Sequence, residues 1–230
     1  MTKTNQPVGF SLDWTSAQAP DRTAIPGTYV TLEPISAAKH AKSLFAAKGE
    51  DPTLWTYTLI APTDDFETFQ GWLEKCEAPD DPLCFAVIDK ADNRAKGMAC
   101  YLRITPANGV IEIGSIWFGP EIQRTRQATE AIYLLARHVF DDLGYRRLEW
   151  KCVSLNAPSR RAAERFGFTF EGEFQQFAVY KGRNRDTAWF AMLDHEWREI
   201  KAAFDAWLAP QNFDASGIQK AALQARRGHL

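Results

Sequence analysis

Hydrophobic and polar positions along this chain switch between two periods, and the switches mark out its elements. Tyr29–Ile35 (YVTLEPI) alternates and is rich in β-formers, which predicts a first strand. Ser36 can cap a helix running to about Lys48, and Thr63-Asp64-Asp65 opens a second that reaches about Cys76 with acidic side chains in its first turn. The segments 83–89 (LCFAVID), 96–105 (KGMACYLRIT) and 109–118 (GVIEIGSIWF) are strand-like. Their connections, DKADNRA and PAN, are short and turn-rich, so an antiparallel meander is expected. From Arg124 to Leu143 the period becomes helical: Ile132, Leu135, Ala136, Val139, Phe140 and Leu143 form one apolar stripe, with Gly144 as a stop signal. A strand at 146–155 follows, then a helix capped by Asn156 with Pro158 in its first turn and ending at Gly167. FTFEGEF and DTAWFAML read as two last strands, and a helix from His195 to Leu208 closes the domain.

This order predicts an α+β domain over residues 27–208, with a central mixed, mostly antiparallel sheet flanked by helices. Residues 1–26 carry Pro7, Pro20 and Pro26 and read as an extended N-terminal arm. Residues 209–230 read as a polar C-terminal tail with a weak helical pattern.

Composition narrows the class. With 230 residues, 45% hydrophobic and 24% charged, the chain has enough apolar material for a full core. A net charge of −2 gives no general pull toward nucleic acid or anionic membrane, so neither is expected as a partner. No apolar run approaches membrane length and no leader pattern is present, so a cytoplasmic location is expected. Cys76, Cys84, Cys100 and Cys152 lack a C-x-x-C spacing and do not cluster with histidines. They read as reduced thiols, and no metal site is expected.

The chemistry concentrates in residues 111–168. There a strand leads through a basic loop into a helix start, then into a strand and a second capped helix. A helix start offers unpaired N–H groups to an anion, and Arg124 and Arg126 add charge, so a pyrophosphate-bearing ligand and a solvated basic turn are both open.

This stretch resembles the coenzyme-A-binding core of the GNAT acetyltransferase superfamily, closest to the branch that includes ribosomal-protein N-terminal acetyltransferases. Gln123-Arg124-Thr125-Arg126-Gln127-Ala128 stands where that family has Q/R-x-x-G-x-G/A, followed by Thr129. Asn156-Ala-Pro-Ser159 through Phe166-Gly167-Phe168 matches its N-x-x-S…G-F element. The resemblance implies a V-shaped splay between two central strands. It also implies acetyl-CoA as co-substrate, with its pyrophosphate at 123–129 and its arm along Ile116, Trp117 and Phe118, bordered by Asn156 and Ser159, and an amine as acceptor. Two positions depart from the pattern. Arg126 replaces the central glycine, and Ala163 stands where many relatives have the tyrosine that protonates the leaving thiolate. Ser159 is the substitute candidate for that proton, or else a helix-start residue bonded to backbone. Glu112 is either the general base or an exposed strand carboxylate, with Glu149 behind it. The alternative to an active enzyme is a catalytically lapsed acyl-CoA-binding or interaction module, and a homodimer stays open.

On the acceptor side, Glu50, Asp51, Asp64, Asp65, Glu67, Glu74, Glu77, Asp80 and Asp81 are interleaved with Trp55, Tyr57 and Trp72. They form either an acidic, aromatic rim that draws in a cationic amine or a solvated helix face. YKGRNRDTAWF (180–190) is a basic turn that touches an acidic acceptor or is merely a charged hairpin.

Overall fold

A computed structural model describes residues 6–58 and 63–225; residues 1–5, 59–62 and 226–230 of the arm, the rim and the tail lie outside it. Its strands are β1 (Ile25–Pro26), β2 (Val30–Pro34), β3 (Leu83–Asp89), β4 (Arg94–Thr105), β5 (Val110–Phe118), β6 (Arg147–Val153), β7 (Thr169–Tyr180) and β8 (Arg183–Leu193). They form one sheet in the order β1-β2-β3-β4-β5-β6-β8-β7. Every neighbouring pair is antiparallel except β5 and β6. That one parallel step requires a crossover, which α3 (Arg126–Arg137) supplies.

The sheet separates two apolar layers. On one face, Phe85, Val87, Tyr101, Ile111, Ile113, Leu148, Phe190 and Met192 pack against α3 and against α5 (Asp194–Leu208). On the other, Cys84, Ala86, Met98, Cys100 and Trp117 pack against α1 (Ala37–Ala47) and α2 (Phe66–Glu77). Helix α4 (Ala157–Arg165) begins at Asn156, whose Oδ1 accepts the N–H of Ser159 at 3.2 Å.

Four features differ from the sequence reading. The expected long helix is α only to Arg137 and continues as a wider turn over His138–Asp142. The last two strands are longer than expected and form one long hairpin, with β7 as the exposed edge of the sheet. The tail is no loose appendage: Phe213, Leu223 and Ala225 are buried in the main core. Asn212 ties the tail back on itself, donating to Trp207 O at 2.9 Å and accepting from the Ala221 N–H at 3.0 Å. No helix forms after Asn212 among the described residues. Finally, Cys84 and Cys100 face each other across β3 and β4 and are joined as a disulfide, which corrects the expectation of four reduced thiols. Strand register, invisible in cysteine spacing, brings them together.

Candidate active site

The site begins where β5 leaves β6. The two strands pair from Val110↔Arg147 to Ile113↔Trp150 and no further, although β5 runs on to Phe118 and β6 to Val153. The cause lies on the other side of β5. The β4–β5 register steps from Cys100↔Gly114 to Met98↔Trp117, so Ser115 and Ile116 together oppose Ala99. Ser115 takes a left-handed φ of 48°. Such a bulge adds local twist and turns the strand, here away from β6. In an extended strand, backbone polar groups point alternately to the two sides. Those of residues 114–118 on the β6 side therefore face a gap, the expected V.

Strand β5 then exits through Gly119. A Cβ there would lie 2.2 Å from the carbonyl oxygen of Ala47, so only glycine lets the loop run against the end of α1. The loop is tight: Ile122 and Gln123 donate to the Gly119 carbonyl at 3.1 and 3.2 Å, and the buried Ile122 anchors it. Arg124 sits at the bend with φ 61°, its side chain exposed.

The start of α3 differs in kind from those of α2 and α4. Asp65 and Asn156 cap those two helices, whereas Thr125 makes no side-chain cap and the first turn of α3 carries no acid. The Thr125 hydroxyl turns back to the Ile122 carbonyl at 2.6 Å. The N–H groups of Arg126, Gln127 and Ala128 thus open a helix with no side chain competing for an anion.

The Arg126 side chain leaves this seat. Its guanidinium lies 4.5 Å from the Tyr29 ring centroid and 5.5 Å from that of Phe213. The arginine that replaces the family glycine therefore contributes its backbone to the helix start and its side chain to the joint between β2 and the tail. Thr129 is turned inward: it is buried, its N–H and hydroxyl both bond the Thr125 carbonyl, and its Oγ1 accepts from Arg165 at 3.2 Å. The Gln123 side chain is likewise engaged, donating to Phe118 O at 2.8 Å. The Trp117 ring packs on Trp55 with centroids 5.4 Å apart, so toward β6 this residue presents its backbone.

Ser159 stands beside the apex of the V. Its Oγ accepts from the indole N–H of Trp150 at 3.0 Å, and Trp150 is the last residue of β6 paired with β5. That leaves the serine's own proton to donate. Burial raises the Cys152 thiol above its ordinary range, and a hydrogen bond from Ser159 works against that rise. Ala163 is buried.

Glu112 is not the exposed carboxylate of one sequence alternative. It is buried, bonded by Arg103 Nε at 2.7 Å and by Lys151 Nζ at 3.0 Å. Lys151 is equally enclosed and also meets Glu149 at 2.7 Å, which in turn accepts from Arg147 Nε at 2.8 Å. The Glu112 Oε2 is therefore shared by two cations and already engaged in ion pairs. Sequence reasoning missed Lys151 and Arg103. The signal was the matching parity of Glu112 and Lys151 on adjoining strands, legible only once β5 is known to pair with β6.

The acidic rim also resolves into structural bonds. Asp51 caps the turn at 52–55 and Asp65 caps α2; Glu77 accepts the Ala37 N–H at the start of α1; Asp81 accepts the N–H groups of Arg103 and Ile104. Asp64 pairs with Lys48 and Asp80 with Arg22.

A mixed sheet split between two parallel strands, with an uncapped helix start beside the split, defines an acyltransferase of the GNAT class. The comparisons agree. The family model described as an acetyltransferase (GNAT) domain matches residues 30–169, and the chain belongs to that family. It is similar to a GCN5-related N-acetyltransferase from Brucella melitensis, at 54% identity over 92% of this chain and 97% of that one, with a TM-score of 0.90. A GNAT-family protein from Chromobacterium violaceum shares 40% identity over 86% of this chain and 100% of its own, with a TM-score of 0.78. The fold alone is shared with the microcin C7 self-immunity acetyltransferase MccE, solved with acetyl-CoA and AMP, at 22% identity over 73% of this chain and 93% of that one, with a TM-score of 0.64. No curated protein matches the chain.

Proposed function

We propose that the protein transfers an acetyl group from acetyl-CoA to a primary amine by direct attack. The observation that carries this reading is the V between β5 and β6 opening beside an uncapped helix start. The residues fit the donor. The N–H groups of Arg126, Gln127 and Ala128 suit a pyrophosphate, and the unpaired backbone of 114–118 suits a chain of amides. MccE, bound to acetyl-CoA, shares the fold and supports the choice of donor.

In the reaction an N–C bond forms, the thioester C–S bond breaks, and the proton the amine loses balances the one the sulfur gains. The chain's part is placement and proton handling. Backbone N–H groups near Trp117 and Phe118 stabilise the developing oxyanion. Ser159, held by Trp150, hydrogen-bonds the departing sulfur. Because Glu112 is tied to Arg103 and Lys151, the amine is delivered neutral or gives its proton to water.

The bound state of Glu112 and the burial of Ala163 also favour a second reading, a module that binds acyl-CoA without turnover. Calorimetry with coenzyme A and thiol release from acetyl-CoA across an amine panel separate the two. Binding with release supports transfer, binding without release supports the module, and no binding removes both.

A further inference from the structure

Six of the nine acids of the expected rim are engaged in caps, backbone hydrogen bonds and ion pairs, and another part of the same sheet face carries polar groups with no partner among the described residues. Six buried side-chain atoms have no hydrogen-bond partner among the described residues: Tyr145 Oη, which belongs to the core layer under α3 and α5, and five others, Trp117 Nε1, Tyr180 Oη, Arg185 Nε, Thr187 Oγ1 and Trp189 Nε1. Thr187 is fully enclosed and Trp117 is 3% exposed. Buried polar groups are nearly always bonded, so each of these calls for an explanation.

These five others are not scattered. Arg185, Thr187 and Trp189 alternate along β8 and share one face. The Lys151 ammonium, itself bonded to Glu112, lies 3.6 Å from the Trp189 ring centroid, which places that face beside β5 and β6. Arg185 reaches the Tyr180 ring at 5.9 Å, and Lys181 Nζ donates to the Trp55 carbonyl at 3.1 Å. Trp55 packs at a tilt on Trp117, so the contacts return to β5. A chain of contacts thus runs from the helical turn through the hairpin and back to the splayed strands.

The orphan groups have one chemical character. Both indole nitrogens and the arginine Nε are donors only, and the two hydroxyls can donate. Such a set matches a ligand group with several acceptor oxygens and negative charge. Lys181, Arg183 and Arg185 give the hairpin the matching sign, whereas Glu112 and Glu149 are already neutralised by Arg103, Lys151 and Arg147.

Resting on the acetyltransferase reading, we propose that the acceptor is a small amine that also carries an anionic group, a carboxylate or a phosphate, seated on Arg185, Thr187, Trp189 and Trp117. Glu112 and Lys151 fix the wall beside it, and the expected preference for a cationic, acid-seeking amine is reversed.

The test compares matched probes on the full chain with acetyl-CoA: α-amino acids against their amides, and O-phosphoethanolamine against ethanolamine. One anionic series should exceed its neutral partner by at least about tenfold in kcat/KM, the effect expected of losing one or two charged hydrogen bonds. Which series responds separates carboxylate from phosphate. Arg185→Gln should lower kcat/KM for the anionic probe at least about tenfold more than for its neutral partner, and Trp189→Phe, which removes only the N–H, should narrow the preference in part. Neutral amines, or peptides without an acid near their N-terminus, turned over as well as the anionic probes would overturn the proposal. So would equal losses for both probe classes in Arg185→Gln. Calorimetry of the same probes on coenzyme-A-saturated protein decides the matter if no probe is acetylated. Anion-selective binding lost in Arg185→Gln then upholds the anion seat while transfer fails, and no selectivity rejects the seat.

Discussion

Glu130 offers a direct test of how α3 is fixed to the rest of the fold. It lies one turn beyond the anion seat, buried, and its carboxylate accepts three backbone N–H groups from the β1–β2 turn: Thr28 at 2.8 Å on Oε1, and Tyr29 at 2.6 Å and Val30 at 2.7 Å on Oε2. Gly27 makes the approach possible, since a Cβ there would sit 2.7 Å from Glu130 Oε2. In Glu130→Gln one amide oxygen can still face Tyr29 and Val30, but the NH2 then faces the N–H of Thr28. Two bonds fall from charged to neutral strength, at about 1 kcal/mol each, and one buried donor is left unpaired, at about 1–3 kcal/mol. The sum is about 3–5 kcal/mol. For a chain of this size that is a fall in Tm of about 6–20 °C. Urea denaturation of the variant, with an unchanged m-value, is the measurement. A loss under about 1 kcal/mol would show that water or a shifted turn replaces the carboxylate, and the account of the β1–β2 joint would be wrong.

Other expectations follow from the site. Ser159→Ala should lower kcat by at least about tenfold with little change in coenzyme A affinity, read by steady-state kinetics and calorimetry, whereas an affinity loss at normal turnover would make Ser159 a ligand or cap residue. Arg126→Ala should leave coenzyme A affinity within about twofold, because its side chain packs on Tyr29 and Phe213, and should destabilise the fold by about 1 kcal/mol. A large affinity loss would put that guanidinium back on the phosphate. The His40 pKa is held below its ordinary value by burial first and by Lys39 second, against Glu33 and Glu77. The unfolded chain therefore takes up the proton more readily, so this contribution to stability is present above about pH 6.5 and is lost as pH falls below it. Melting curves from about pH 7.5 to 5.5 should show this in the native chain and less in His40→Gln.

Much of the fold was legible because periodicity reports burial directly. The stripe from Ile132 to Leu143 names its own face, and the unbroken apolar run in LCFAVID matches a strand buried on both sides. The basic loop leading into α3 was legible for a similar reason, since a loop and the helix start it feeds are local properties. What escaped the sequence was relational. The Glu112–Lys151 pair, the Cys84–Cys100 disulfide and the burial of Phe213 and Leu223 depend on which strands adjoin and where the tail returns. Charge counts also do not reveal hydrogen-bond partners: of the rim acids, Asp51, Asp65, Glu77 and Asp81 are bonded to backbone N–H groups.

The single parallel step in the sheet has a further consequence. A strand edge at the rim of a sheet is a template open to any other chain, and proteins guard it against aggregation. Here two such edges, 114–118 and 151–153, face one another inside the sheet. Helices α3 and α5 lie over one face of the sheet and α1 and α2 over the other, so this hazard sits inside the fold rather than at the rim where another chain would meet it.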